Sequence, residues 1–86
     1  VSRLFANRSV EDTIAVLVAE EANRNGADIL TARTEYMLRR DVVVYHFVTR
    51  ACTYTVEHRP EFLDEPHYVT ACDVMAKLVE KMTAPI

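Results

Sequence analysis

The sequence predicts an all-α fold of three helices, or four if the central one breaks, and three observations predict it. The 86 residues include a single glycine, Gly26, whereas hairpins and sandwiches draw on many residues able to reach positive φ. Apolar residues recur at helical spacing near both ends of the chain. Between those regions, residues 28–59 contain neither Gly nor Pro, so nothing obvious interrupts a helix there. The expected organisation is an N-terminal arm over 1–8 and a single helical domain over 9–86.

The first helix opens at Ser9-Val10-Glu11-Asp12, a serine cap followed by two acids that complement the helix dipole. Val10, Ile14, Leu17, Val18 and Ala22 then form one stripe, and Asn25-Gly26 supplies a stop. The second helix is placed from near Asp28 to the residues before Pro60. Its segment Val42 to Val56 is also rich in β-branched and aromatic residues, which suits a strand. Strict alternation fails, however, because Val42-Val43-Val44-Tyr45 runs consecutively. Helical spacing puts Leu30, Met37, Leu38, Val44, Tyr45, Val48, Ala51 and Cys52 on one face, with His46, Arg50, Thr53 and Glu57 on another. The third helix follows Pro60–Pro66, with Asp64 as its cap and Pro66 in its first turn. Tyr68, Cys72, Met75, Ala76, Val79 and Met82 are its expected core stripe, widened by Ala71, Val74 and Leu78, and Pro85 closes it.

A central helix of roughly 30 residues would extend about 45 Å, against about 25 Å for its neighbours. Much of it is left without cover inside one chain, and Phe47 and Tyr54 point away from the Val44, Val48, Cys52 stripe. A chain this short also buries only about 60% of the surface its unfolded form exposes. A two-fold homodimer through the central helices is the expected solution, because closed pairs are the commonest assembly. The alternative is a break near Arg39-Arg40-Asp41 that folds the chain into a four-helix monomer.

Composition narrows the function by exclusion. The formal net charge of −3 gives no global positive field for phosphate backbones, so nucleic acid is not an expected partner despite Arg39-Arg40. The apolar runs are far shorter than the ~20 residues that span a bilayer, and no secretion signal is visible, so a soluble, cytoplasmic protein without a membrane partner is expected. Cys52 and Cys72 form no CxxC pair and are expected as reduced, buried thiols. His46, His58 and His67 lack zinc-type spacing and are expected as satisfied or surface histidines. Glu11, Asp12, Glu20 and Glu21 are expected as solvated acids on helix one, and one glycine cannot build a phosphate loop. No catalytic residue, cofactor or metal is expected. A chorismate-mutase-like helical enzyme would need Arg33, Arg39, Arg40, Arg50 and Lys77 to converge on a dicarboxylate, but helix one lacks that family's arginines.

The remaining signal is a surplus of large apolar side chains, which are the usual anchors of protein interfaces. Val44, Phe47, Val48, Ala51, Tyr54, Phe62, Leu63 and Tyr68 are the expected dimer or partner contacts. The acid-rich first helix, the segment Arg39-Arg40-Asp41-Val42-Val43-Val44-Tyr45-His46-Phe47-Val48 and the Cys-containing last helix resemble the QslA-type quorum-sensing antiactivators over nearly the whole chain. The resemblance implies a small helical dimer, not an enzyme, that binds the ligand-binding domain of a LuxR-type transcription factor (LasR-like). Blocking the surface through which that regulator dimerises would abolish its reading of a palindromic site. A helical adaptor or chaperone for another protein client is the alternative reading.

Overall fold

The computed structural model describes residues 10–60 and 65–84. It corrects the fold class: the chain is α+β, in the order α1 (Val10–Arg24), β1 (Thr31–Met37), β2 (Val42–Val48), β3 (Thr53–His58), α2 (His67–Thr83). The strands form an antiparallel meander, β1-β2-β3. The all-α reading, the long central helix and its four-helix variant are therefore overturned. The expected arm over 1–8, the Ser9 and Asp64 caps, Phe62, Leu63 and Pro85 lie outside the described residues.

The first helix forms where it is expected and buries Ile14, Val18 and Ala22 of its stripe together with Ala15 and Ala19, whereas Val10 and Leu17, also expected in the stripe, are exposed. It ends at Gly26, whose φ of 105° suits a residue without Cβ. Gly26 N–H donates to the Asn23 carbonyl and Ala27 N–H to the Ala22 carbonyl, the paired bonds of a Schellman stop. Asn23 then fixes the entry to the sheet. Its amide donates to the Ile29 carbonyl at 3.0 Å and accepts from the Ile29 N–H at 2.8 Å.

Two turns replace the expected helix, and neither needs glycine. Leu38 to Asp41 connect β1 to β2, with Asp41 taking a φ of 54°, a left-handed conformation that Asp tolerates better than most residues. At the other end, the Thr49 hydroxyl accepts from the N–H groups of Ala51 and Cys52 and donates to the Cys52 carbonyl at 2.9 Å, closing the β2–β3 turn with a side chain. The register pairs Phe47 with Ala32 and Tyr54, and Tyr45 with Thr34 and Val56. Directly opposed residues share a face, so Val43, Tyr45, Phe47, Val56 and His58 look toward the helices, and Val42, Val44, His46 and Val48 look away. Both helices pack on the inner face, α1 over β1 and β2, α2 over β3 and against α1. Because Val42 and Val44 are buried as well, the first half of β2 shows no alternation, while Tyr45 to Val48 alternate between buried and half-buried.

On α2 the buried residues are Thr70, Val74 and Leu78, with Ala71, Met75 and Met82 half-buried against the core. Tyr68, Cys72, Ala76 and Val79, expected inside, are exposed. Both cysteines are free and exposed, which corrects the expectation of buried thiols. No helix among the described residues is long and apolar enough to cross a membrane.

Candidate functional site

The buried polar side chains gather where the end of β3 meets the start of α2. His58, the last residue of β3, lies on the inner face and is buried. Its Nδ1 is 2.6 Å from Asp73 Oδ2 on α2, and its Nε2 is 2.8 Å from Glu65 Oε2 in the segment entering that helix. The Thr70 hydroxyl donates to the same Glu65 oxygen. Lys77, one turn beyond Asp73, sits 2.9 Å from Asp73 Oδ2 and donates to the Glu57 carbonyl at 3.0 Å. A chain of polar contacts thus pins α2 to β3.

The geometry fixes what this group can do. With a carboxylate on each ring nitrogen, an imidazolium donates to both, while a neutral ring donates to one and turns a lone pair on the other. The Glu65 side chain is only 6% exposed and the Asp73 side chain 39% exposed. The Glu65 contact is therefore the strongly desolvated one and the Asp73 contact is partly screened. Burial pushes the Asp73 carboxyl up, but the hydrogen bonds from Lys77 and His58 more than reverse this, so its pKa lies below the ordinary value of 3.8. A depressed folded pKa gives stability that is present above the unfolded value and is lost as pH falls through the folded one. Asp73→Asn is therefore expected to be less stable than the parent near neutral pH and to approach it in acid, as pH falls through the depressed folded pKa. Thermal melts from pH 2 to 7 check this, and a constant gap across that range would contradict it.

Beside the clasp is a cavity of about 190 Å³ between the first turns of α1 and α2, lined by Glu11, Ile14, Tyr45, His58, Glu65 and Thr70 among others. The Tyr45 hydroxyl is buried and has no hydrogen-bond partner among the described residues. Burial chiefly, and then the charges of Glu11, Glu65 and Asp12, push its pKa well above the ordinary 10.

The residues expected at an interface separate in space. Phe47 is wholly enclosed in the core and Tyr54 is packed against it. Val44 and Val48 are on the outer face of β2, Ala51 is in the β2–β3 turn, and Tyr68 is exposed on α2. The arginines do not converge. Arg40 pairs with Glu57 at 2.7 Å at one end of β2, while Arg50 lies beyond the other end, about 20 Å away along a strand of that length. His46, 3.0 Å from Glu35 on the outer face, is an ordinary surface contact. Sequence reasoning read His58 only as a satisfied or surface histidine and missed the clasp. A signal was present: in a strand, Val56 and His58 share a face, so an apolar neighbour places His58 inward. Among the described residues no cluster of His, Cys, Asp and Glu is arranged to hold a metal ion. Comparisons with protein-family models, curated proteins and solved structures give no match to this chain.

Proposed function

We propose that the chain is a non-enzymatic binding module that engages another protein through the outward side of α2. The observation that carries this reading is the line Tyr68, Cys72, Ala76 and Val79, exposed at helical spacing, with Tyr68 72% and Val79 44% accessible. Exposed aromatic and aliphatic residues in one row suit an interface better than isolated surface residues do. The buried polar groups favour the same reading, since both ring nitrogens of His58 are engaged by carboxylates.

The partner is the ligand-binding domain of a LuxR-type activator, as the sequence resemblance implies, and binding works by denying that regulator its dimer. The support for this client is the resemblance, whose central segment is a turn and a strand in the structure. An adaptor or chaperone would use the same row of residues on a different client. The homodimer loses its long-helix basis.

Tyr68→Glu with Val79→Glu is expected to weaken binding at least 100-fold, since each places a charge in a desolvated contact, with circular dichroism and melting temperature unchanged. Calorimetric titration of the regulator domain reads the affinity. Full binding by the double variant would remove α2 as the contact surface.

A further inference from the structure

The three-stranded sheet has two edges, and the fold treats them differently. Backbone groups of an antiparallel pair alternate in direction along each strand. The bonds from Leu30 N–H to the Val48 carbonyl and from Thr49 N–H to the Cys52 carbonyl fix that alternation. Through the register, Val43, Tyr45 and Phe47 bond to β3, and Val42, Val44 and His46 bond to β1. Thr53, Thr55 and Glu57 therefore turn their N–H and C=O groups to the free edge of β3, and Ala32, Thr34 and Tyr36 turn theirs to the free edge of β1. On β3 that edge is partly closed, because Lys77 of α2 donates to the Glu57 carbonyl at 3.0 Å. On β1 these groups have no partner among the described residues, and the strand has neither a proline nor a bulge to blunt it. A free edge of this kind is a template for a further strand.

The side chains of β1 specify the strand that fits. Arg33 and Glu35 stand two apart on the outer face, and both are exposed. Glu35 Oε1 lies 3.0 Å from His46 Nε2, whereas Arg33 has no acidic partner among the described residues. An antiparallel copy of β1 centred on Thr34 sets Thr34 against itself, Ala32 against the second copy's Tyr36, and Arg33 against the second copy's Glu35. The residues then bonded are those whose backbone groups are free, and Arg33 meets Glu35 at the non-bonded positions, where side chains approach most closely. Moving the centre to Arg33 or to Glu35 opposes like charges instead. A groove of about 350 Å³ between α1 and the start of β1 is lined by Val16, Ala19, Leu30 and Ala32 among others. The register centred on Thr34 brings the second copy's Tyr36, 57% exposed in the single chain, to the mouth of that groove.

We propose that two copies of the chain pair through this edge, β1 against β1, as a two-fold antiparallel dimer centred on Thr34, with Arg33 and Glu35 of each copy as the opposing charges. The product is a six-stranded sheet with all four helices on one face. It closes at two copies, because the β3 edges left at its ends carry the Lys77 contact. The contact uses the edge farthest from β3 and does not depend on the protein proposed for the outward side of α2.

The test is sedimentation velocity of the full chain alone at neutral pH and high micromolar concentration, with amide hydrogen exchange read by NMR. The expected species has twice the 9.8 kDa of one chain, and the amides of Ala32, Thr34 and Tyr36 gain protection as concentration rises. Arg33→Glu and Glu35→Arg are each expected to weaken the dimer at least tenfold with circular dichroism unchanged, because each opposes like charges across the two-fold axis. Mixing those two variants is expected to restore association, since every charge on one then meets its opposite on the other. A monomer at high micromolar concentration would overturn the proposal. A dimer in which the three amides still exchange freely, or which both charge variants leave intact, would place the contact elsewhere and overturn it too. Failure of the two variants to associate when mixed would overturn the register centred on Thr34.

Discussion

Phe47→Ala is expected to cost about 3 to 5 kcal/mol of folding stability, the range for truncating an enclosed aromatic residue. Small domains have about 5 to 15 kcal/mol in total, so much of the variant population should be unfolded at 37 °C. The placement of Phe47 explains the size. It sits on the inner face of the central strand, with no exposure, between Ala32 on β1 and Tyr54 on β3, in a core that includes Ala15, Ala19 and Ala22 of α1. Small residues over a large ring leave no side chain able to collapse into the space, so the cavity persists. Urea denaturation gives the value directly. A loss below about 1 kcal/mol would put Phe47 on a surface, as the sequence-based interface reading expected, and would contradict the sheet.

His58→Leu is expected to be comparably damaging for a different reason. Removing the ring takes the Nε2 contact from Glu65, whose side chain is only 6% exposed and keeps the Thr70 hydroxyl, and breaking such a buried polar pair costs about 3 kcal/mol. The Asp73 side adds less, because that carboxylate is more open to water and keeps Lys77 at 2.9 Å. The double variant His58→Leu with Glu65→Leu should recover much of the loss, since replacing both partners of a buried polar pair by apolar groups is often nearly neutral. A double-mutant cycle measures the coupling. Simple additivity of the two single losses would show that His58 and Glu65 do not interact.

The terminal elements were legible and the middle was not. In α1 the acids of the first turn, the apolar stripe and Gly26 agree with one another, and the helix runs from Val10 to Arg24 as they require. Residues 31–58 misled because two rules of thumb failed there together. The scarcity of glycine argued against hairpins, but Asp41 and the Thr49 hydroxyl make the turns without it. The lack of alternation argued against a strand, but the first half of β2 buries Val42 and Val44 on its outer face as well as Val43 and Tyr45 on its inner one, and a stretch buried on both sides reads as a continuous apolar run. The β-branched content of Val42 to Val56 was the informative signal.

The last helix shows a subtler ambiguity. Its apolar arc is wide enough to contain two candidate core stripes, and packing selected Thr70, Val74 and Leu78 over Tyr68, Cys72, Ala76 and Val79. The row left outside carries the proposed contact surface, and sequence reasoning had expected Tyr68 both as a contact residue and as a member of the core stripe. The clasp was unreadable for a related reason. Glu65, Thr70 and Asp73 meet His58 only once β3 is a strand and α2 lies across it. A helix through residue 58 never brings those groups together.

The most direct test of the account is light scattering on a gel-filtration column, with the chain mixed with the ligand-binding domain of the LuxR-type regulator. The predicted result is a mixed complex at micromolar concentration with the regulator's own dimer gone, abolished by Tyr68→Glu with Val79→Glu. Separate peaks, with the regulator dimer intact, would contradict it.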